Sequence, residues 1–263
     1  MRPYWAVFGA RFRTLLQYRA AALAGCGTQL FFGLIVVMVY QAFYRSTRAS
    51  QPMTYAEVVT YVWLAQAMLG LILFGADHDV SEMIRSGAVA YELARPIDLY
   101  SLWYFRAVAL RTGPVLLRMI PIGLVAGLCF GLGPPASSAC AGMWALATVG
   151  SVLFGSAVAT VMTISLLWTI SGDGINRLLA AAMFICSGVI VPLPFFPDWV
   201  QPVLHALPFR GMADTPFRVY LGHIPVERAG LAVAHQLAWT LGLILFGRWL
   251  LRRAVRRLVI QGG

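Results

Sequence analysis

The chain contains no lysine; all twenty of its basic residues are arginine. A phosphate-binding loop of the Walker A type needs a lysine, so this chain does not carry that machinery. Schiff-base chemistry on lysine is excluded for the same reason. Carboxylates are almost as scarce, ten in 263 residues. Half of them (Asp77, Asp79, Glu82, Glu92 and Asp98) fall between residues 77 and 98. The four cysteines include no CxxC pair, which removes the common zinc and redox motifs. HExxH and GxSxG are missing. Gly131-Leu132-Gly133-Pro134-Pro135-Ala136 mimics a dinucleotide loop, but it joins two apolar runs and not a strand to a helix, so it is a turn. There is no internal repeat and no low-complexity linker, so residues 1–263 form a single domain. The N-terminus does not read as a signal peptide, because its charged region is long and carries aromatics.

What the chain has is apolar length. Hydrophobic residues make up 60% and charged residues only 11%, with a mean hydropathy of +0.76. Soluble domains carry about 25% charged residues. The composition predicts an all-α integral membrane protein. About 20 apolar residues cross the hydrocarbon core. Six stretches meet that length: 23–43, 55–76, 110–132, 139–170, 175–193 and 229–250. The fourth is long enough to tilt or to extend past the bilayer. With both termini inside, the inner segments hold fourteen arginines (2, 11, 13, 19, 85, 95, 106, 111, 177, 248, 252, 253, 256 and 257). The outer segments then hold five (45, 48, 210, 218 and 228). That bias predicts an N-in, C-in topology. It also explains the formal charge of +10 as lipid anchoring; no soluble basic domain exists to bind nucleic acid.

Residues 1–22 place Trp5, Phe8, Phe12, Leu15 and Leu16 on one helical face, which suits a helix in the inner interface or a cytoplasmic extension of the first span. Pro114 and Pro121 favour kinks in the third span. Ala147, Ser151, Gly155, Ala159 and Thr163 form a small-residue stripe on the fourth, for packing within the chain or between chains. The outer loop, 192–228, is unusually apolar, with Phe195, Phe196, Trp199 and Leu207 among its side chains and seven prolines. It suits a re-entrant helical pair, either a lid over an exit path or a plug. Asp198 is placed to cap a helix from Trp199 to about Leu207. Cys129 and Cys140 flank an outer turn and are either small buried residues or a disulfide.

No constellation of catalytic type emerges. Glu57 lies at the outer end of the second span and Asp173 in the short inner loop 171–177, while Arg118 and His235 sit a few turns inside their spans. Asp77-His78-Asp79 is a DxD, which holds a divalent metal in some glycosyltransferases, but neighbouring helical positions do not share a face. Within 77–98, Val80, Met83, Ile84 and Gly87 recur at spacings of three and four, bordered by Asp79, Glu82 and Arg85. Gly87 is placed to end that short helix, and a second segment runs from Val89 to Ala94. A cytosolic helix with an apolar face and a charged rim is a protein-docking element. The alternative, a helix on the inner leaflet, conflicts with its acidic residues, because that leaflet is itself negative.

The whole pattern resembles the ABC-2 type permeases, the membrane subunits of type-2 ATP-binding cassette exporters. In SGAVAYELARPIDLYSLWYFR, Gly87, Leu93, Arg95 and Pro96 are similar to a G-x-x-x-x-x-L-x-R-P element of one bacterial subgroup, and PFFPDWVQPVLHALPF resembles that subgroup's outer loop. The resemblance implies an N-terminal interfacial helix, six spans, a cytoplasmic coupling helix at 77–98 and a re-entrant pair in a multi-pass protein of the bacterial inner membrane. It implies two copies of a separate ATPase subunit, which bind ATP and Mg, and a second permease chain, identical or different. This chain itself would hold no cofactor and no metal. The docking residues it implies are Asp79, Val80, Glu82, Met83, Ile84, Arg85 and Gly87, with Asp173 in a second, smaller contact. The other readings are an ion-coupled secondary carrier, which the lack of buried carboxylates disfavours, and a membrane glycosyltransferase using Asp77 and Asp79.

Overall fold

The structure is a computed structural model that describes residues 2–72, 75–168 and 173–256. These residues form twelve α-helices and no strand. In chain order they are α1 (Arg2–Gln17), α2 (Arg19–Ser46), α3 (Tyr55–Ala67), α4 (Leu69–Ile72), α5 (His78–Arg85), α6 (Val89–Leu93), α7 (Leu99–Cys129), α8 (Ser138–Ser165), α9 (Asp173–Cys186), α10 (Gln201–Ala206), α11 (Asp214–Tyr220) and α12 (Val226–Val255). Two short 3₁₀ helices, Leu193–Phe195 and Pro208–Met212, lie in the connection before α12.

Four helices, α2, α7, α8 and α12, are long and apolar enough to cross a membrane. The other two expected spans are shorter here. The stretch 55–76 becomes α3 and α4, interrupted at Met68 (φ −107°, ψ 10°), and residues 73–74 lie outside the described residues. The stretch 175–193 becomes α9, which ends at Cys186. The third span starts earlier than its apolar run, because Asp98 caps the helix through the Ser101 amide at 3.1 Å. Pro114 and Pro121 both lie inside α7, which continues through them. A capping box of Thr54 and Glu57 starts α3.

The chain breaks at Tyr18, so α1 is a separate helix and not an extension of α2. It packs along α7: Tyr4 and Trp5 meet the Phe105 ring at 5.9 and 5.3 Å. At Gly113 a Cβ would stand only 3.1 Å from Leu15 Cβ, so the glycine permits that close approach.

The central helix is α8. Ala147, Ser151, Ala159 and Thr163 are at most 2% exposed, and Gly155 is buried with them. The small-residue stripe is therefore filled from within one chain. Ser151 Oγ donates to Gly211 O at 2.9 Å, and Gln236 Nε2 of α12 donates to Gly211 O (2.6 Å) and Ala147 O (3.1 Å). The hydroxyls of Ser151, Thr160 and Thr163 bond back to carbonyls four residues earlier, which satisfies them in an apolar interior. Trp63, Tyr61 and Phe217 fill the larger core between α2, α3, α7 and α11. Cys129 and Cys140 are free thiols.

Candidate functional site

The segment 77–98 is built as two short helices with a glycine between them. Asp77 caps α5: its Oδ1 accepts from the amides of Asp79 (3.0 Å) and Val80 (3.4 Å). The Asp77 amide donates to Thr163 Oγ1 of α8 at 3.0 Å, which fixes the start of the segment to the central helix. Gly87, at φ +77°, ends α5 in the left-handed region that glycine adopts without a steric cost. Its amide closes the turn onto Ile84 O at 3.3 Å.

One arginine organises the carboxylates. Arg106 of α7 lies 3.3 Å from Asp77, 3.6 Å from Asp79 and 3.1 Å from Glu92. Glu92 also accepts from Trp103 Nε1 at 2.7 Å, and Arg11 of α1 pairs with Asp79. The Arg106, Asp77 and Glu92 side chains are at most 13% exposed, whereas Asp79 and Arg11 stay partly in water at 47% and 30%. Arg111 completes the balance of three cations and three carboxylates, lining with Arg11, Asp77 and Asp79 a cavity of about 270 Å³. Asp98 takes a separate partner, Arg248 of α12, at 3.0 Å, while its amide donates to Tyr4 Oη. Four of the five clustered carboxylates therefore tie α1, α5, α6, α7 and α12 together. Among the described residues no group of His, Cys, Asp or Glu is arranged to hold a metal ion.

The apolar stripe of α5 faces inward, onto the rest of the chain. Val80 is fully buried, and Met83 and Ile84 pack half-buried against a cluster of Val89, Leu99, Tyr100, Leu102, Trp103, Ile164 and Leu251. The outward side presents Glu82, Arg85, Ser86 and Gly87, followed by Tyr91 (77% exposed), Arg95 and Pro96; Leu93 is half-buried. Glu82 forms no ion pair or hydrogen bond through its carboxylate among the described residues. Asp173 begins α9, but its side chain and residues 171–172 lie outside the described residues.

The connection 192–228 divides in two. Its second half is core: Asp214, Thr215, Phe217 and Val219 are at most 2% exposed and pack on α8 and α3. Asp214 accepts from the Leu193 amide at 3.3 Å and pairs with Arg218 at 3.6 Å. Its own amide donates to Ser187 O, and Tyr61 Oη donates to Gly188 O at 2.9 Å. Its first half is peripheral. Phe195 packs against Tyr40 and Phe43 of α2, Phe196 and Leu207 are half-buried, and Trp199 is 80% exposed. Here α10 starts at Gln201, two residues after the expected Trp199, and Asp198 does not cap it; its Oδ1 accepts from the Gln201 side chain at 3.4 Å. Pro202 at the first turn needs no donor, which places the helix start there.

Arg106, Asp214 and Gln236 carry these arrangements and were not singled out by motif or spacing. Arg106 and Gln236 had one signal, a polar side chain within a long apolar helix, and Asp214 had its i,i+4 spacing to Arg218. No curated protein matches the chain. Residues 30–262, from the first long helix through the last, match the family model of the ABC-2 family transporter protein, and the chain belongs to that family.

Proposed function

We propose that the chain is the permease subunit of an ATP-binding cassette exporter, working with two copies of a separate ATPase that hold ATP and Mg. A second permease chain, identical or different, completes the translocation path. In this reading α2, α3–α4, α7, α8, α9 and α12 are the six crossings, both termini face the cytoplasm, and 192–228 lies on the outer side of a bacterial inner membrane. The arginine distribution supports that orientation. Helices α5 and α6 then form the coupling element, and 171–177 a smaller contact.

The observation that carries this reading is a short helical pair clamped to the long helices by Arg106 on one side and open on the other. A push on the open side reaches α7 and α1 through ion pairs and not through a loose loop. The docking surface is the exposed rim Glu82, Arg85, Ser86, Gly87 and Tyr91, with Asp79 at its edge and Val80, Met83 and Ile84 as its packed base. The use of Asp77 and Asp79 as counter-ions of Arg106 and Arg11 speaks against the glycosyltransferase reading. The test is co-purification with a candidate ATPase subunit co-expressed with this chain. Glu82→Arg is expected to abolish co-purification and transport with little change in thermal stability, since exposed substitutions stay within about 0.5 kcal/mol. Unchanged binding and transport would sink the docking assignment.

A further inference from the structure

Between α3, α7 and α8 the bundle leaves an open groove of about 420 Å³. Its floor is Leu64, Ala67 and Met68, each at most 5% exposed, so it reaches the core beside the break between α3 and α4. Its lip is Ile120 and Leu124 of α7, 59% and 61% exposed. The volume falls within the range of small-ligand sites, about 300–1,000 Å³. Among the described residues no charged side chain lines it. Of its two polar side chains, Tyr220 Oη is committed to Gly133 O at 2.9 Å, and Trp144 Nε1 is buried without a hydrogen-bond partner.

Helical rise sets the depth of the groove. Gly123 lies six residues before the end of α7 and Trp144 six after the start of α8, so both are about 9 Å inside the same end of the bundle. Met119, which also lines the groove, is about 15 Å inside. Headgroups occupy only about 5–8 Å on each side of a bilayer. The groove therefore opens on hydrocarbon, with its upper end close to the level of the lipid esters. An apolar space left empty there forfeits its dispersion contacts, and a neighbouring alkyl chain restores them. Gly123 keeps the space open, because a Cβ on it would meet nothing within 4 Å. A helix, about 10–12 Å across, can rest on the lip without reaching the floor, whereas a single alkyl chain can lie along it.

We infer that the groove is a lipid site, holding one alkyl chain of an outer-leaflet phospholipid against the break at Met68. The ester carbonyl of that lipid lies near the depth at which Trp144 Nε1 lacks an acceptor. The α3–α4 crossing leads directly into 77–98, so the bound chain braces the crossing that carries that segment. Only the choice of leaflet rests on the topology proposed above; the groove and its occupant do not.

The test uses the full chain in nanodiscs of phosphatidylcholine that carries a diazirine midway along one acyl chain. On illumination, adducts are expected on the floor residues Leu64, Ala67 and Met68, which a lipid outside the groove does not reach. Gly123→Leu fills the groove from its own wall and should cut those adducts severalfold, while adducts on the exposed Phe31 and Phe32 of α2 stay level. The fold should tolerate it, because leucine favours a helix and its Cβ meets open space. Gly123→Ala, a smaller filling, should fall between. In lipid-poor detergent, added phosphatidylcholine should raise the thermal unfolding midpoint of the wild-type chain, and that gain should shrink in Gly123→Leu. A floor without adducts in the wild-type chain, or adducts that Gly123→Leu leaves unchanged, would overturn the inference. So would a photoreactive residue at Leu124 that cross-links to a second protein chain instead of to lipid, since another permease chain would then cover the groove. Neither readout needs the ATPase, so failed co-purification sinks the permease reading and leaves the lipid result standing.

Discussion

The two long connections, 77–98 and 192–228, are held by opposite means. The first is charged and is clamped at the bundle's edge by ion pairs from arginines on neighbouring helices, with one helical side left open. The second is apolar and tucks its far half into the core, where backbone bonds and one buried carboxylate hold it. The difference follows from solvent. Where water reaches, several partly screened charges can share one cation and re-pair as the segment moves. Where it does not, each polar group needs a fixed partner, and movement means breaking it. A connection of the first kind can transmit displacement, and one of the second kind resists it.

The comparison breaks most directly at Asp214. Asp214→Ala leaves the Leu193 amide and the Arg218 guanidinium without their shared acceptor. The expected cost is about 3–5 kcal/mol, read as a fall in the thermal unfolding midpoint in detergent. Adding Arg218→Ala should recover part of it, as coupled partners do in a double-mutant cycle. Arg106→Ala is expected to cost less, roughly 2 kcal/mol, because Asp79 remains half-exposed and water can replace part of the pairing. If Arg106→Ala proved the more damaging of the two, the contrast between the connections would be wrong. Arg106→Lys should restore little, since a point charge cannot address three carboxylates as a planar fork does.

Gln236→Leu should cost about 1 kcal/mol or somewhat more, by removing the donor to Gly211 O and Ala147 O, and should loosen the outer loop without affecting 77–98. Hydrogen exchange of residues 208–214 would report it. The smallest effect is a pH dependence. Burial, then the Arg210 and Arg218 cations, hold the His205 imidazole below its usual value, and Arg210 Nη1 sits 2.7 Å from its Nδ1. As pH falls through about 6.5 the unfolded chain takes the proton first, so stability is complete above that value and declines below it. His205→Gln should flatten that slope between pH 7 and pH 5.

Much of the architecture is legible in the sequence. The four long apolar helices, the stripe on α8 and the glycine that ends α5 all follow from residue type at a spacing. What periodicity leaves open is the partner of a face. Val80, Met83 and Ile84 form a real stripe, but Leu99, Tyr100 and Trp103 of the following helix cover it. Asp77 and Asp79 do meet one cation despite their spacing, because Asp77 is a cap outside the helix and face rules stop at the cap. The break at Met68 has no proline to announce it. Asp214 has a local ion-pair partner in Arg218, but the Leu193 amide it accepts from, and the Gly211 and Ala147 carbonyls that Gln236 donates to, lie far along the chain, where no local pattern reaches.

The prolines of α7 have a mechanical consequence. Neither can donate an amide proton, so the carbonyls of Leu110 and Leu117, four residues earlier, lose their intrahelical partners. A rod with two missing rungs bends most easily at those places. Below Pro114 the foot of α7 is clamped by Arg106. Between the prolines is a middle segment of less than two turns that includes Arg118, and above Pro121 is an arm with no such clamp. The two prolines make these the softest points of α7, between its clamped foot and its upper arm. Its stiffness, set by two residues, is a property that Pro114→Ala and Pro121→Ala would change independently of any charge.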